Sequence, residues 1–275
     1  MTASLDDKKL AIIGLGKLGG ILLRSFLDRK LTRPELVRAT VHHEQRAEAR
    51  RSEFGVEVRV DNSWACQGAD LILLCVKPAR VEQVVREIAP VLTTDQVIVS
   101  VAASVTTSYI AECLDAKIPI IRAMPNTPCS VGCGMTAICR GPHVKEEQLE
   151  YTRRLFDAVG RTVVIDEVHF DAVTGLSASG PAFIYIILEA LAEAGVKVGL
   201  PRDIATLLAA QTAQGAARVV LETGSHPALL KDAVTTPAGC TIDGIMELEE
   251  GKVRVTLIKA VMKATERARE LVYGR

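Results

Sequence analysis

The segment Gly14-Leu15-Gly16-Lys17-Leu18-Gly19 has the glycine spacing with which a chain holds a dinucleotide pyrophosphate. It follows the apolar run Leu10-Ala11-Ile12-Ile13 and opens a stretch where Leu18, Ile21, Leu22, Ser25 and Phe26 recur at helical spacing. Strand, turn and helix in that order are what the chemistry requires. Gly14 permits the tight turn, Gly16 lets the backbone approach the phosphates, Gly19 lets helix and strand pack closely, and the helix N-terminus favours the anion. Ile13, Lys17 and Leu18 are the remaining cofactor contacts expected of this loop.

Other strand ends supply the rest of the expected cofactor site. After the second strand the chain reads Thr40-Val41-His42-His43-Glu44-Gln45-Arg46, with no acid at the strand end to bind ribose hydroxyls. His42, His43 and Arg46 offer donors to a 2′-phosphate instead, so NADPH is expected as the cofactor, with NADH as the lesser choice. Glu44 as a ribose ligand, or a plain solvated turn, is the alternative. Asn62, the segment Cys75-Val76-Lys77-Pro78, the small residues Ala102 and Ala103, and Asn126 in Met124-Pro125-Asn126-Thr127-Pro128 complete the expected contacts. Small residues at 102 and 103 leave room for a nicotinamide ring.

Far along the chain, Thr235-Thr236-Pro237-Ala238-Gly239-Cys240-Thr241 precedes a helical pattern starting at Ile242. Hydroxyls and free amides at a helix start suit a carboxylate, although Thr241 could equally be a plain helix cap.

These residues need a scaffold, and the hydrophobic pattern supplies one. Short apolar runs at 10–13, 36–41, 70–76, 97–101, 118–123 and 162–165 alternate with helical patterns, including Val81, Val84, Val85 and Ile88. The expected fold class is α/β, a Rossmann-type dinucleotide-binding domain over 1–166 followed by an all-helical domain over 167–275. Residues 181–198 are nearly all apolar apart from Glu189, Glu193 and Lys197, which share one narrow face. Burial between subunits is expected there in preference to a membrane span.

Composition narrows the partners. Lys plus Arg number 33 and Asp plus Glu 33, so no net field favours nucleic acid or an anionic membrane. The short charged start, 1–9, reads as neither a secretory signal nor a transit peptide, and the expected location is the cytoplasm. Seven cysteines form no metal-ligand spacing, so no metal is expected and the thiols read as free, buried small hydrophobes.

With these segments in order, the chain resembles the pyrroline-5-carboxylate reductases from its first strand to its C-terminus. The resemblance rests on Gly14 to Gly19, Val76-Lys77-Pro78, Met124-Pro125-Asn126-Thr127-Pro128, Ala172-Val173-Thr174-Gly175-Leu176-Ser177, Ser179-Gly180-Pro181-Ala182, Gly195 to Pro201 and the threonine-rich loop before Ile242. It implies reduction of 1-pyrroline-5-carboxylate to L-proline with NAD(P)H, and a homodimer able to assemble into a decamer of five dimers. It further implies Thr236, Gly239, Cys240 and Thr241 as substrate contacts, with Thr174 facing them from the partner subunit and Glu167 near the same pocket. The family often has two glycines where this chain has Ala238-Gly239, and Ala238 is expected to resist a left-handed backbone.

Thr241 is then the expected catalytic hydroxyl, hydrogen-bonded to the imine nitrogen. Two rivals remain: a β-hydroxyacid-type dehydrogenase and a non-catalytic NADP(H)-binding regulator. The first needs a proton-handling lysine soon after the glycine-rich opening of the second domain, where this chain runs on apolar past Ser179-Gly180-Pro181-Ala182-Phe183-Ile184. The second should have lost Thr236 and Thr241.

Overall fold

Runs such as Leu-Ala-Ile-Ile and Leu-Ile-Leu-Leu carry apolar side chains on both strand faces, so they are stable only where both faces are covered. The computed structural model, which describes residues 7–273, builds them into a doubly wound sheet. In chain order the first part comprises β1 (Leu10–Ile13), α1 (Lys17–Asp28), β2 (Val37–Thr40), α2 (Glu44–Phe54), β3 (Glu57–Arg59), α3 (Asn62–Cys66) and β4 (Leu71–Leu74). There follow α4 (Val81–Ile88), β5 (Val97–Ser100), α5 (Thr107–Glu112), β6 (Ile120–Met124), β7 (Gly134–Arg140), α6 (Glu146–Asp157) and β8 (Gly160–Val164). The strand order is β3-β2-β1-β4-β5-β6-β7-β8, with only the β6–β7 pairing antiparallel. Strand order reverses between the parallel neighbours β1 and β4, with β2 and β3 laid to one side and β4 onward to the other, and the crevice at such a point is where doubly wound folds bind ligands.

Two apolar layers clamp the sheet. Leu22, Leu23 and Phe26 of α1 pack with Ile12, Ala39, Val58 and Leu73 on one face. Val81, Val84, Val85 and Ile88 of α4 pack with Ala11, Ile13, Ile72 and Leu74 on the other. Each fully buried side chain of this size contributes roughly 1.5–3 kcal/mol. The six expected strands form at the expected places. β3 and β7 were not expected, the first because it has only three residues and the second because Gly-Met-Thr-Ala-Ile-Cys-Arg carries little β-branched signal.

Among the described residues no strand follows β8. The chain continues as α7 (Phe170–Val173), a π turn at Thr174–Ala178, α8 (Gly180–Lys197), α9 (Arg202–Thr223), α10 (Pro227–Ala233), α11 (Cys240–Glu250) and α12 (Val253–Tyr273). Packing divides the chain later than the end of the strand pattern near Asp166: one compact unit runs to Ser179 and is rejoined by the chain from Ala264, and Gly180–Lys263 forms the other. The physical reason is a small cluster in which Phe170, with Ile165, Val173 and Ala178, packs on Met124, Ala137 and Cys139.

By length and composition the helical stretches 167–197 and 202–223 would each suffice to cross a membrane, with 11% of each apolar window buried. All seven cysteines are free as expected, but Cys133 and Cys240 are exposed, so burial does not hold for every thiol.

Candidate cofactor and substrate site

The three fingerprint glycines have three separate physical reasons. Gly14 takes φ +97°, and a Cβ there would stand 3.0 Å from the Cys75 carbonyl oxygen. A Cβ on Gly19 would stand 2.5 Å from the Gly14 carbonyl oxygen, so only glycine lets α1 start this close to β1. Around Gly16, the N-cap of α1, nothing lies within 4 Å of an added Cβ. That open space, with no side-chain cap and no acid in the first turn of α1, fits a pyrophosphate resting on the free amides of Lys17, Leu18 and Gly19.

The turn is braced by a residue that the sequence reading passed over. Thr40 Oγ1 accepts from the Gly14 amide at 3.2 Å and donates to Asn62 Oδ1 at 2.8 Å. Asn62 Nδ2 in turn donates to Glu87 Oε2 at 3.0 Å. Asn62 is thus coupled to the fingerprint through Thr40, and its own amide is engaged. A hydroxyl ending β2 was the only available signal.

The strand end after Thr40 carries no carboxylate. His42, His43 and Arg46 are exposed, the two imidazole rings lie 4.4 Å apart, and His43 is the N-cap of α2. Glu44 is the first residue of α2 and its carboxylate pairs with Arg51 at 3.3 Å, so the ribose-ligand alternative has its acid turned toward an arginine. Two imidazoles and a guanidinium around a helix start form a donor set suited to a 2′-phosphate.

Lys77 is exposed just beyond β4, between Cys75-Val76 and a 3₁₀ turn that begins at Pro78. Burial pushes the Cys75 thiol up to about 12, so it stays protonated at neutral pH and is no nucleophile. Ala102 is buried, and Ala103 packs beside Met124 and Phe170. The Asn126 amide braces the protein at both ends. Its oxygen accepts from the Met135 amide at 2.9 Å and its nitrogen donates to the Ser177 carbonyl at 3.2 Å.

Glu167 is also engaged. Its carboxylate accepts from the Thr107 amide at 2.8 Å and the Thr107 hydroxyl at 2.7 Å, and pairs with the buried Arg122 at 3.3 Å. The Thr174 hydroxyl donates to the Phe170 carbonyl at 2.8 Å, at the start of a π turn of the kind that often marks functional sites.

In the second unit, the threonine-rich loop is exposed and shaped by two residues. Ala238 adopts φ +55°, so the left-handed conformation expected to be resisted is present, with an alanine carrying the strain. Gly239 is the N-cap of α11, and a Cβ there would stand 2.3 Å from Thr236 Oγ1. Glycine is therefore what lets the Thr236 hydroxyl lie over the helix start. Thr241 is the second residue of α11 rather than its cap, which removes the plain-cap alternative. Thr236, Cys240 and Thr241 are exposed, and the Gly239 amide donates to the Thr236 carbonyl at 3.1 Å, so the loop presents hydroxyls at an open helix start of the kind that suits a carboxylate. Among the described residues no group of three or more His, Cys, Asp or Glu is disposed to hold a metal.

Comparison with known proteins gives a consistent picture. A family model described as pyrroline-5-carboxylate reductase dimerisation matches residues 167–271, and one described as NADP oxidoreductase, coenzyme F420-dependent, matches residues 9–104. A pyrroline-5-carboxylate reductase of Glycine max is 41% identical over 97% of this chain and 97% of its own length. One from Methanosarcina acetivorans is 38% identical over 97% of this chain and 99% of its own. The crystal structure of Plasmodium falciparum pyrroline carboxylate reductase with NADP bound superposes with a TM-score of 0.88 at 27% identity, covering 97% of this chain and 98% of that one.

Proposed function

The chain belongs to the pyrroline-5-carboxylate reductase family, and on that premise we propose that it reduces 1-pyrroline-5-carboxylate to L-proline with NADPH, the last step of proline biosynthesis. The observation that carries this reading is the end-to-end likeness to reductases of that name, reaching 41% identity. NADPH, when bound, supplies the hydride that C5 of the cyclic imine accepts.

The protein's part is placement. Gly14, Gly16 and Gly19, with the Lys17 and Leu18 amides, hold the pyrophosphate, and His42, His43 and Arg46 take the 2′-phosphate in preference to the bare ribose of NADH. Ile13, Asn62, Cys75 to Pro78 and Asn126 shape the walls, and Ala102 and Ala103 leave space for the flat ring. Thr236 with the amides of Gly239 and Cys240 anchors the substrate carboxylate. Thr241 hydrogen-bonds the ring nitrogen, which arrives already protonated from solvent as the iminium, so addition of hydride at C5 alone yields the neutral amine. Threonine is a weak acid, so the hydroxyl orients the nitrogen and stabilises its N–H form.

Residues 1–166 form the nucleotide-binding domain in this reading and 167–275 the dimerisation and substrate domain. The helical part leaves large apolar side chains exposed, among them Ile184, Tyr185, Ile186, Leu207 and Leu208. An apolar surface of this extent marks an interface, and a dimerisation module spans it. The chain therefore functions as an oligomer. We assign a homodimer, able to build a decamer, in which Thr174 of the partner subunit faces the Thr236 to Thr241 loop, working in the cytoplasm. The test is oxidation of NADPH, then NADH, with 1-pyrroline-5-carboxylate, alongside light scattering for mass. No turnover with either cofactor refutes the activity. A higher kcat/KM with NADH refutes the 2′-phosphate assignment alone, and a monomer refutes the shared site.

A further inference from the structure

The segment between β5 and α5, residues 101–106, is held by two unusual ties. Ser104 has φ +62°, a conformation that side-chain-bearing residues avoid, and it is 1% exposed. Its hydroxyl donates to the carbonyl of Ala268 in α12 at 2.5 Å, across 164 positions of sequence. At the other end, Thr107 donates both its amide and its hydroxyl to the Glu167 carboxylate. Glu167 is itself fixed by Arg122, whose guanidinium lies 4.7 Å over the Phe170 ring and whose Nε and Nη2 are buried without a partner. Among the described residues Glu167 is the one acid paired with that buried cation, so its position is strongly determined.

Both ties lead to chain that flanks the second compact unit, Glu167 before Gly180 and Ala268 after Lys263. The same loop carries Ala102 and Ala103. We propose that Ser104 and Glu167 are positioning residues of the hydride transfer: they fix loop 101–107 from the two segments that lead into and out of the helical unit, and so set the position of the nicotinamide. The bond from Ser104 to α12 offsets the strain of an L-residue in a backbone state that favours glycine. The inference rests on the reading in which Ala102 and Ala103 face the nicotinamide.

Hydride transfer falls steeply with small misplacements, whereas binding, spread over the pyrophosphate and adenosine ends, does not. The test uses Ser104→Gly, which keeps the backbone conformation accessible and removes the hydroxyl. NADPH affinity is read by quenching of Trp64, the single tryptophan. Turnover is read as kcat with both substrates saturating and as the isotope effect with NADPH deuterated at the transferred hydrogen. The expected result is NADPH affinity within about twofold of the parent, kcat lower by about tenfold or more, and a larger isotope effect as the chemical step becomes limiting. Glu167→Gln, which keeps an acceptor for Thr107 and drops the charge toward Arg122, should give the same split and serves if the glycine variant does not fold.

Parental kcat and isotope effect in a folded variant overturn the proposal. So does an equal fall in affinity and kcat, which is the mark of a merely structural residue. Ala103→Leu separates this failure from failure of the underlying reading: lost NADPH binding supports a cofactor-facing loop, and parental binding overturns that reading and the proposal together.

Discussion

Replacing Gly16 and Gly19 by alanine, one at a time, should give two different defects from a single added methyl group. At Gly19 the new carbon would sit 2.5 Å from the Gly14 carbonyl oxygen, against ordinary contact that begins near 3.4 Å, so α1 must retreat by about 0.9 Å. Forcing a methyl group into packed backbone costs about 1–3 kcal/mol, and the better helix propensity of alanine returns roughly 1 kcal/mol of it. The obstacle is backbone rather than a movable side chain, so the upper half of that range applies, and the net loss of about 1–2 kcal/mol corresponds to a Tm lower by roughly 2–8 °C in a chain of this size. NADPH affinity should fall with it, because the retreating helix start carries the phosphate amides. At Gly16 nothing lies within 4 Å of the added carbon, so the Tm without ligand should change by no more than about 2 °C. The carbon instead occupies the phosphate approach, and losing about 1.4–2.8 kcal/mol of contact there weakens NADPH binding by roughly 10- to 100-fold. Thermal unfolding without ligand, paired with titration of Trp64 fluorescence, reads both quantities. Parental NADPH affinity in Gly16→Ala, or parental Tm in Gly19→Ala, would refute the reasoning.

Three further outcomes are expected. Thr241→Ala should lower kcat without abolishing it while Thr236→Ala mainly raises KM for the imine, and steady-state kinetics showing the two variants indistinguishable from the parent would remove both roles. Ala238→Gly should raise stability by up to about 1 kcal/mol, since relief of the left-handed strain at φ +55° exceeds the entropy glycine adds to the unfolded chain, and a lower Tm would count against it. Stability should also decline in alkali: Cys66, Cys75 and Cys139 have thiols raised to about 12 chiefly by burial, against an ordinary value of 9.0. Between those limits the unfolded chain releases protons that the folded one retains, so the contribution present below about pH 9 is lost as pH rises, at up to about 1.4 kcal/mol per unit for each thiol. Denaturant titrations at stepped pH measure the slope, and Cys66→Ala should make it shallower.

Strands and the glycine loop were readable because their signals are local. The apolar runs and the 14–19 spacing need only neighbours in sequence, and each formed where its pattern lay. β7 was not readable, since its pairing with β6 depends on partners that its own composition does not announce. Asn126 and Glu167 were visible as chemistry-bearing residues, yet their present partners, Ser177, Met135, Thr107 and Arg122, lie distant in sequence or face them only after folding. Thr40 shows the reverse case, a plain hydroxyl that gains its part in the fingerprint loop from the alignment of β1 with β2.

The sequence by itself determined the α/β class, the dinucleotide loop and the acid-free end of β2, because glycine tolerance, charge and apolar period are properties of the residues themselves, whereas the helix expected from Ile242 starts two residues earlier, at Cys240 with Gly239 as its cap. Only the tertiary structure decided which hydroxyls and carboxylates are already engaged, that an alanine accepts the left-handed turn at 238, and that Ser104 is bonded to Ala268. Those are matters of distance between remote segments, set when burial of the two sheet faces brings them together.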